Sequence, residues 1–227
     1  MYKLHKALYG LKQAPRAWFS RIEDHFVNDG FQKCPNEQTL FTKRSSECKV
    51  LIVSIYVDDL IYTGDDENMM FGFKNSMMKV FYMTDLGRMR FFLSIEVLQR
   101  SDGNFICQKR YAMEVLKRFG MFESKSVNSP IVPGFKISRD NHGVTMDETY
   151  FKQMVGSLMY LTMTRPDIMF SIRLISRYMA KPTKLHLQAA KRILRYLKGT
   201  TNYGILYKKG GEEEELLAFT DSDYDVT

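Results

Sequence analysis

Residues 50–64 limit the possible folds of this chain more than any other stretch. Leu51, Val53, Ile55 and Val57 alternate with Ile52, Ser54 and Tyr56, and an apolar run resumes at Leu60-Ile61-Tyr62 after Asp58-Asp59. A period of two over this length predicts two β-strands joined as a hairpin, with the bend at Asp58-Asp59. That pair is an unusual bend, because it lacks the glycine that favours a tight primed turn and its like charges repel. One reading is an exposed acidic turn. The other is a carboxylate pair that binds a cation, which would relieve the repulsion.

The 227 residues are 44% apolar and 13% aromatic, enough to build one large core or two modest ones and contrary to a disordered chain. Thirty-three Lys and Arg against 26 Asp and Glu leave a formal charge of +7, which points to a polyanionic partner, nucleic acid first. The excess is concentrated: between Arg165 and Lys209, eleven basic residues face Asp167 alone. Cys34, Cys48 and Cys107 form no CxxC pair, so neither a disulfide framework nor a thiolate zinc site is expected. The most apolar stretch, residues 50–57, is far shorter than the roughly 18 residues that span a bilayer. No secretory apolar segment follows Met1. The expectation is a soluble, intracellular protein without a membrane partner.

Periodicity places helices over residues 67–83, despite Gly72, and 109–119, ending at Gly120. Residues 90–99 read as a strand, and Ser101-Asp102-Gly103-Asn104 as the turn of a second hairpin into residues 105–108. After a loop marked by Pro130, Pro133 and Gly134, Asp147 caps a helix through Thr162, and Pro166 opens another to about Met179. Residues 183–198 form an amphipathic helix. Leu185, Ala189, Ile193, Leu194, Tyr196 and Leu197 share its apolar face, and Lys184, Lys191, Arg195 and Lys198 the basic one. The basic face is either an ordinary solvated surface or a groove that tracks phosphates. Gly210-Gly211 and Glu212 to Glu215 read as a turn between strands over 203–207 and 216–220. The fold class is α+β: an antiparallel sheet, then a mainly helical region.

Upstream of the hairpin stands Lys3-Leu4-His5-Lys6-Ala7-Leu8-Tyr9-Gly10-Leu11-Lys12-Gln13-Ala14-Pro15-Arg16-Ala17-Trp18-Phe19. This string closely resembles the segment before the catalytic hairpin in reverse transcriptases of copia-type retrotransposons. The resemblance continues through Tyr56-Val57-Asp58-Asp59-Leu60, Met83-Thr84-Asp85-Leu86-Gly87 and Phe92-Leu93-Ser94-Ile95-Glu96-Val97. It extends to Val155-Gly156-Ser157-Leu158-Met159-Tyr160-Leu161, Arg165-Pro166-Asp167-Ile168 and Leu194-Arg195-Tyr196-Leu197-Lys198-Gly199-Thr200. Phe219-Thr220-Asp221-Ser222-Asp223 looks like the first strand of the ribonuclease H domain that follows the polymerase in that family.

The resemblance implies a partial polymerase palm over residues 1–98, thumb and connection over 99–210, and a truncated start of ribonuclease H over 211–227. It implies an RNA-directed DNA polymerase with an RNA template, a DNA primer and deoxynucleotides as partners and two Mg2+ ions as cofactors. Asp58 and Asp59 would be the catalytic metal ligands. Lys12, Gln13 and Arg16 would meet the incoming nucleotide and template, and Tyr56 the primer end. Phe92, Leu93 and Ser94 would contact the primer, with Ser94 standing where the family has glycine and adding a side chain to a close backbone approach. Lys184, Lys191, Arg195 and Lys198 would lie along the nucleic-acid backbone, and Asp221 would be a vestigial ribonuclease H carboxylate. Asp223 and Asp225 read better as an acidic tail.

The family also uses a carboxylate from a strand preceding this first motif, and no Asp or Glu stands between Met1 and Trp18. The expectation is therefore an incomplete metal site and little activity from the chain alone, since a displacement of about 1 Å can cost on the order of a hundredfold in rate. The alternatives are a non-catalytic basic nucleic-acid-binding module, an unstable pseudogene product, and dependence on a separate polypeptide for the missing strand. The basic, acid-free residues 1–21 would also suit a transit peptide. A motif that begins at residue 3 is better explained as interior domain sequence.

Overall fold

The computed structural model describes residues 10–132, 134, 137, 138 and 142–210. The chain divides into two compact units, Met1–Met89 and Arg90–Thr227, which places residues 90–98 with the carboxyl-terminal one. The architecture is α+β with two antiparallel sheets.

In the first unit, helix α1 (Ala14–Asn28) leads into strands β1 (Gln32–Lys33), β2 (Leu40–Arg44), β3 (Val50–Tyr56) and β4 (Asp59–Gly64), and helix α2 (Glu67–Phe81) follows. The strands pair in chain order, β1-β2-β3-β4. Pro15 opens α1, where a missing N–H leaves no bond unmade. Asp66 caps α2 by accepting the Met69 N–H at 2.7 Å. Leu51, Val53 and Ile55 of β3 are buried with Ile22 and Phe26 of α1, Phe41 of β2, and Phe73 and Met77 of α2. Phe26 meets Phe31, Phe41 and Phe73 at ring-centroid distances of 5.1, 5.0 and 5.7 Å. Both helices therefore cover one face of the sheet, while Ile52 and Tyr56 on the other remain 38% and 48% exposed.

The hairpin forms as the alternation predicts, but its bend lies one residue earlier. Tyr56 pairs with Asp59, so the two-residue loop is Val57-Asp58 and Asp59 begins β4. The far end fixes the same register: Gly64 sits opposite Leu51, where an added Cβ would meet the Val50 carbonyl at 2.9 Å. Strands β1 and β2 were not apparent from the sequence, because they are short and carry polar residues toward solvent.

In the second unit, β5 (Phe91–Phe92), β6 (Ile95–Arg100) and β7 (Gly103–Cys107) form a meander, and β8 (Gly204–Lys208) returns from the far end of the chain to pair with β7. Gly204 permits that pairing, since a Cβ there would fall 2.2 Å from the Ile106 carbonyl oxygen. Helices α3 (Lys109–Arg118), α4 (Glu148–Leu161), α5 (Met169–Ser176) and α6 (Lys184–Gly199) enclose a core that includes Val115, Leu116, Phe151, Leu158, Ile172 and Leu194. A short 3-10 turn over Pro166–Ile168 precedes α5. The Asp147 cap is present, accepting the Tyr150 N–H at 2.8 Å.

Three expectations change here. Residues 90–99 are not one strand: Leu93 and Ser94, at φ 46° and 62°, form a two-residue turn between β5 and β6. Positive φ at both central positions is the primed geometry that matches strand twist, and a turn without glycine leaves no mark in the residue pattern. Gly103 and Asn104 belong to β7 rather than to the preceding turn. The buried side of α6 is His186, Leu187, Ala190, Ile193, Leu194 and Leu197, with Leu185, Ala189 and Tyr196 only half-buried. The segment before Pro130 accounts for this rotation, because Arg195 Nε donates to the Lys125 carbonyl at 2.7 Å and Lys198 Nζ lies 4.3 Å from the Phe122 ring centre. The expected strand over 216–220, Asp221 and the tail carboxylates lie outside the described residues.

Candidate active site

The tip of the β3–β4 hairpin is backbone-strained and pinned. Val57 has φ 56°, a left-handed conformation that a β-branched residue resists by roughly 1–3 kcal/mol. Its carbonyl accepts the Trp18 indole N–H at 2.9 Å, which ties α1 to the tip. Trp18 in turn sets its edge against Phe81 of α2, 5.4 Å between centroids, so both helices hold the loop. Asp58 and Asp59 are exposed, and neither makes an ion pair or side-chain hydrogen bond among the described residues. Tyr56, opposite Asp59, ends β3. Lys12 and Gln13 are exposed immediately before α1, where Gln13 is the capping position, and Arg16 is exposed in its first turn. The first motif and the aspartate hairpin thus converge through Trp18.

The other acidic residues in the motifs are committed to structure. Asp85 accepts Lys74 Nζ at 2.7 Å and the Gly87 N–H at 2.9 Å, and these bonds, Lys74 foremost, hold its carboxyl below the usual range. Glu96 accepts the Arg110 N–H at 2.7 Å at the start of α3. Asp167 receives both Nε and Nη2 of Arg165 at 2.8 and 2.7 Å, and the Tyr196 hydroxyl at 3.0 Å. Arg165, with only 3% of its side chain exposed, also donates to the carbonyl and hydroxyl of Thr200 at 2.8 and 2.7 Å. Burial pushes the Asp167 carboxyl up, but the Arg165 hydrogen bonds and charge outweigh it, and the net direction is down.

In the second unit, the Leu93 carbonyl accepts the Tyr160 hydroxyl, so α4 holds the strained Leu93-Ser94 turn. Phe92 is half-buried on β5, Leu93 is 38% exposed and Ser94 is half-buried. Of the α6 cations, Lys184 is exposed and Lys191 half-buried, whereas Arg195 and Lys198 lie on residues 122–125 as described. Trp18 and Tyr160 stand inside the quoted motifs, yet residue spacing gives no sign of the carbonyls they anchor. Trp18 being the chain's one tryptophan is the only available hint.

The donor chemistry at the tip suits a hard divalent cation, since two adjacent carboxylates offer oxygen ligands and have no competing cation among the described residues. Among those residues no group of three metal-ligating side chains occurs. No helix among them is long and apolar enough to cross a membrane.

Comparison with known proteins gives the relatives of this arrangement. The family described as reverse transcriptase (RNA-dependent DNA polymerase) matches residues 1–133. A retrovirus-related Pol polyprotein from transposon RE1 of Arabidopsis thaliana is 38% identical over 98% of this chain, which covers 15% of that protein. The Pol polyprotein from transposon TNT 1-94 of Nicotiana tabacum is 34% identical over 97% of this chain and 17% of its own length. An uncharacterized mitochondrial protein of Arabidopsis thaliana is 34% identical over 75% of this chain and 70% of its own length. The chain thus spans less than a fifth of the polyproteins it matches. No solved structure matches it significantly. With the aspartate hairpin, the motif that pins it and these likenesses agreeing along nearly the whole length, the chain belongs to the reverse transcriptase (RNA-dependent DNA polymerase) family, alongside the Pol polyproteins of copia-type transposons.

Proposed function

We propose that this chain is part of an RNA-directed DNA polymerase in which Asp58 and Asp59 form the metal-binding face of the nucleotidyl-transfer site. The observation that carries the reading is the contrast among the motif acids: Asp58 and Asp59 stand open on a strained tip pinned by Trp18, while Asp85, Glu96 and Asp167 are bound into structure. A divalent cation held there would supply positive charge opposite phosphate oxygens. Lys12 and Arg16 provide phosphate-directed charge, and the Gln13 amide can donate to and accept from the nucleotide. Tyr56 offers a ring and hydroxyl to the primer end, and the Leu93-Ser94 turn, held by Tyr160, offers backbone to the primer strand. The vestigial role of Asp221 and the division into palm, thumb with connection, and incipient ribonuclease H belong to the same reading.

As a separate polypeptide the chain should extend primers little or not at all, because two carboxylates under-ligate a metal pair. Primer extension on an RNA template, with deoxynucleotides and Mg2+, tests this. The chain alone should give no product. Adding, as a second polypeptide, the part of the TNT 1-94 polyprotein that precedes the matched region should give extension that Asp58→Asn abolishes. Extension by the chain alone would contradict the under-ligated metal site, and extension unaffected by Asp58→Asn would contradict the assignment of Asp58.

A further inference from the structure

The exposed basic surface of the second unit is not confined to α6, where Lys184 is exposed and Lys191 half-buried. Of the cations between Arg165 and Lys209, Arg165 is buried in its pair with Asp167, and Arg192 donates to the Ser129 hydroxyl at 3.1 Å. Arg195 and Lys198 are held against residues 122–125. Arg173, Arg177 and Lys181, by contrast, are exposed, and none of them takes part in an ion pair or side-chain hydrogen bond among the described residues.

Helix α5 arranges these cations around an aromatic ring. At 3.6 residues per turn, Phe170, Arg173 and Arg177 fall within about 60° of one another, opposite the side on which Ile172 and Ile175 are buried. Phe170 is 66% exposed, an unusual position for a phenyl ring on a helix packed into a core. Lys181 adds a further exposed cation in the turn that follows the helix. The nearest acid in sequence, Asp167, has its oxygens bound by Arg165 and Tyr196, so it does not offset this charge locally.

We propose that the outer face of α5 binds single-stranded nucleic acid, with Arg173, Arg177 and Lys181 on phosphates and Phe170 stacked on a base. This inference rests on the polymerase reading for its partner class, but it moves the contact from α6 to α5 and adds a stacking platform. Cations alone would suit any polyanion. An exposed ring beside them selects unstacked bases, because in a duplex the base faces are already covered by their neighbours.

The experiment is fluorescence anisotropy of the full chain with a labelled single-stranded RNA, a DNA of the same sequence, and the matching duplex, across a salt series. The parent chain should bind both single strands more tightly than the duplex. Arg173→Ala with Arg177→Ala should weaken binding and flatten the log–log salt slope by about 1.4, as expected when two phosphate contacts are lost from a single strand. Phe170→Ala should weaken binding about tenfold with the slope unchanged. These side chains are exposed, and an unaltered circular dichroism spectrum confirms folding of each variant. Equal affinity of the α5 variants and the parent, tightest binding to duplex, or loss of binding in Lys191→Ala with Arg195→Ala would overturn the proposal. Binding that persists at parental strength in the α5 variants places the contact elsewhere, so this inference fails while the polymerase reading survives, whereas no binding to any of the three nucleic acids would count against both.

Discussion

Two aspartate motifs of the same chain have opposite fates. Asp58 and Asp59 sit exposed on a hairpin tip, without a partner among the described residues, on a backbone that carries a valine at positive φ. Asp167 is gripped in bidentate fashion by a buried arginine, which in turn fastens the end of α6 through Thr200. A carboxylate whose lone pairs are all spoken for stabilises a fold and is a poor ligand. One that is left open, on a scaffold that tolerates strain to keep it there, contributes little to folding and is free for chemistry. The comparison separates acids bound into structure from acids left open within one set of motifs.

The largest effect that would break this comparison is expected at Asp167. Asp167→Asn leaves the Arg165 guanidinium buried without its anion and should cost about 3 kcal/mol, the low end for a broken buried pair because 32% of the Asp167 side chain is exposed. Trp18 lies in the first unit and is the only tryptophan, so its fluorescence should follow that unit. In denaturant, the circular dichroism transition should move to lower concentration. A shift of the tryptophan transition alone would assign Asp167 the wrong role.

Next in size are two substitutions at the tip. Trp18→Phe keeps a ring against Phe81 but removes the donor to Val57, and should destabilise by about 1 kcal/mol. Val57→Gly should stabilise by about 1 kcal/mol, the released strain less the added freedom of the unfolded glycine. A destabilised glycine variant in chemical denaturation would show that the tip is not strained.

A smaller effect is expected with pH. The Asp167 carboxyl titrates below its ordinary value in the folded chain, so its contribution is fully present above the unfolded value of about 3.9 and fades as pH falls through the folded one. Denaturant midpoints of the parent should therefore fall more steeply below about pH 4 than those of Asp167→Asn. Parallel curves would count against the pairing. The smallest effect is expected from Asp58→Asn with Asp59→Asn, which should remain within about 0.5 kcal/mol of the parent.

Much of this arrangement is legible in the residues. The period-two run specifies the β3–β4 hairpin, Asp147 marks the start of α4, Pro166 the turn that leads into α5, and the motif string carries the family. What remained hidden depends on contacts far apart in sequence or on backbone shape. The turn at Leu93-Ser94 has no glycine, and its anchor Tyr160 lies 67 residues away. The exact bend of the first hairpin depends on register, which Gly64 fixes from the opposite end. The basic face of α6 follows the helical period, yet residues 122–125 engage two of its four cations, while Arg173 and Arg177 stand exposed on and just after α5.

The most direct test of the central claim is Mn2+ binding to the intact chain, followed by electron paramagnetic resonance. Binding should be weak, should be lost in Asp58→Asn with Asp59→Asn, and should be unchanged in Asp167→Asn at a temperature where that variant remains folded. Binding that survives loss of both hairpin carboxylates, or that disappears with Asp167, would contradict it.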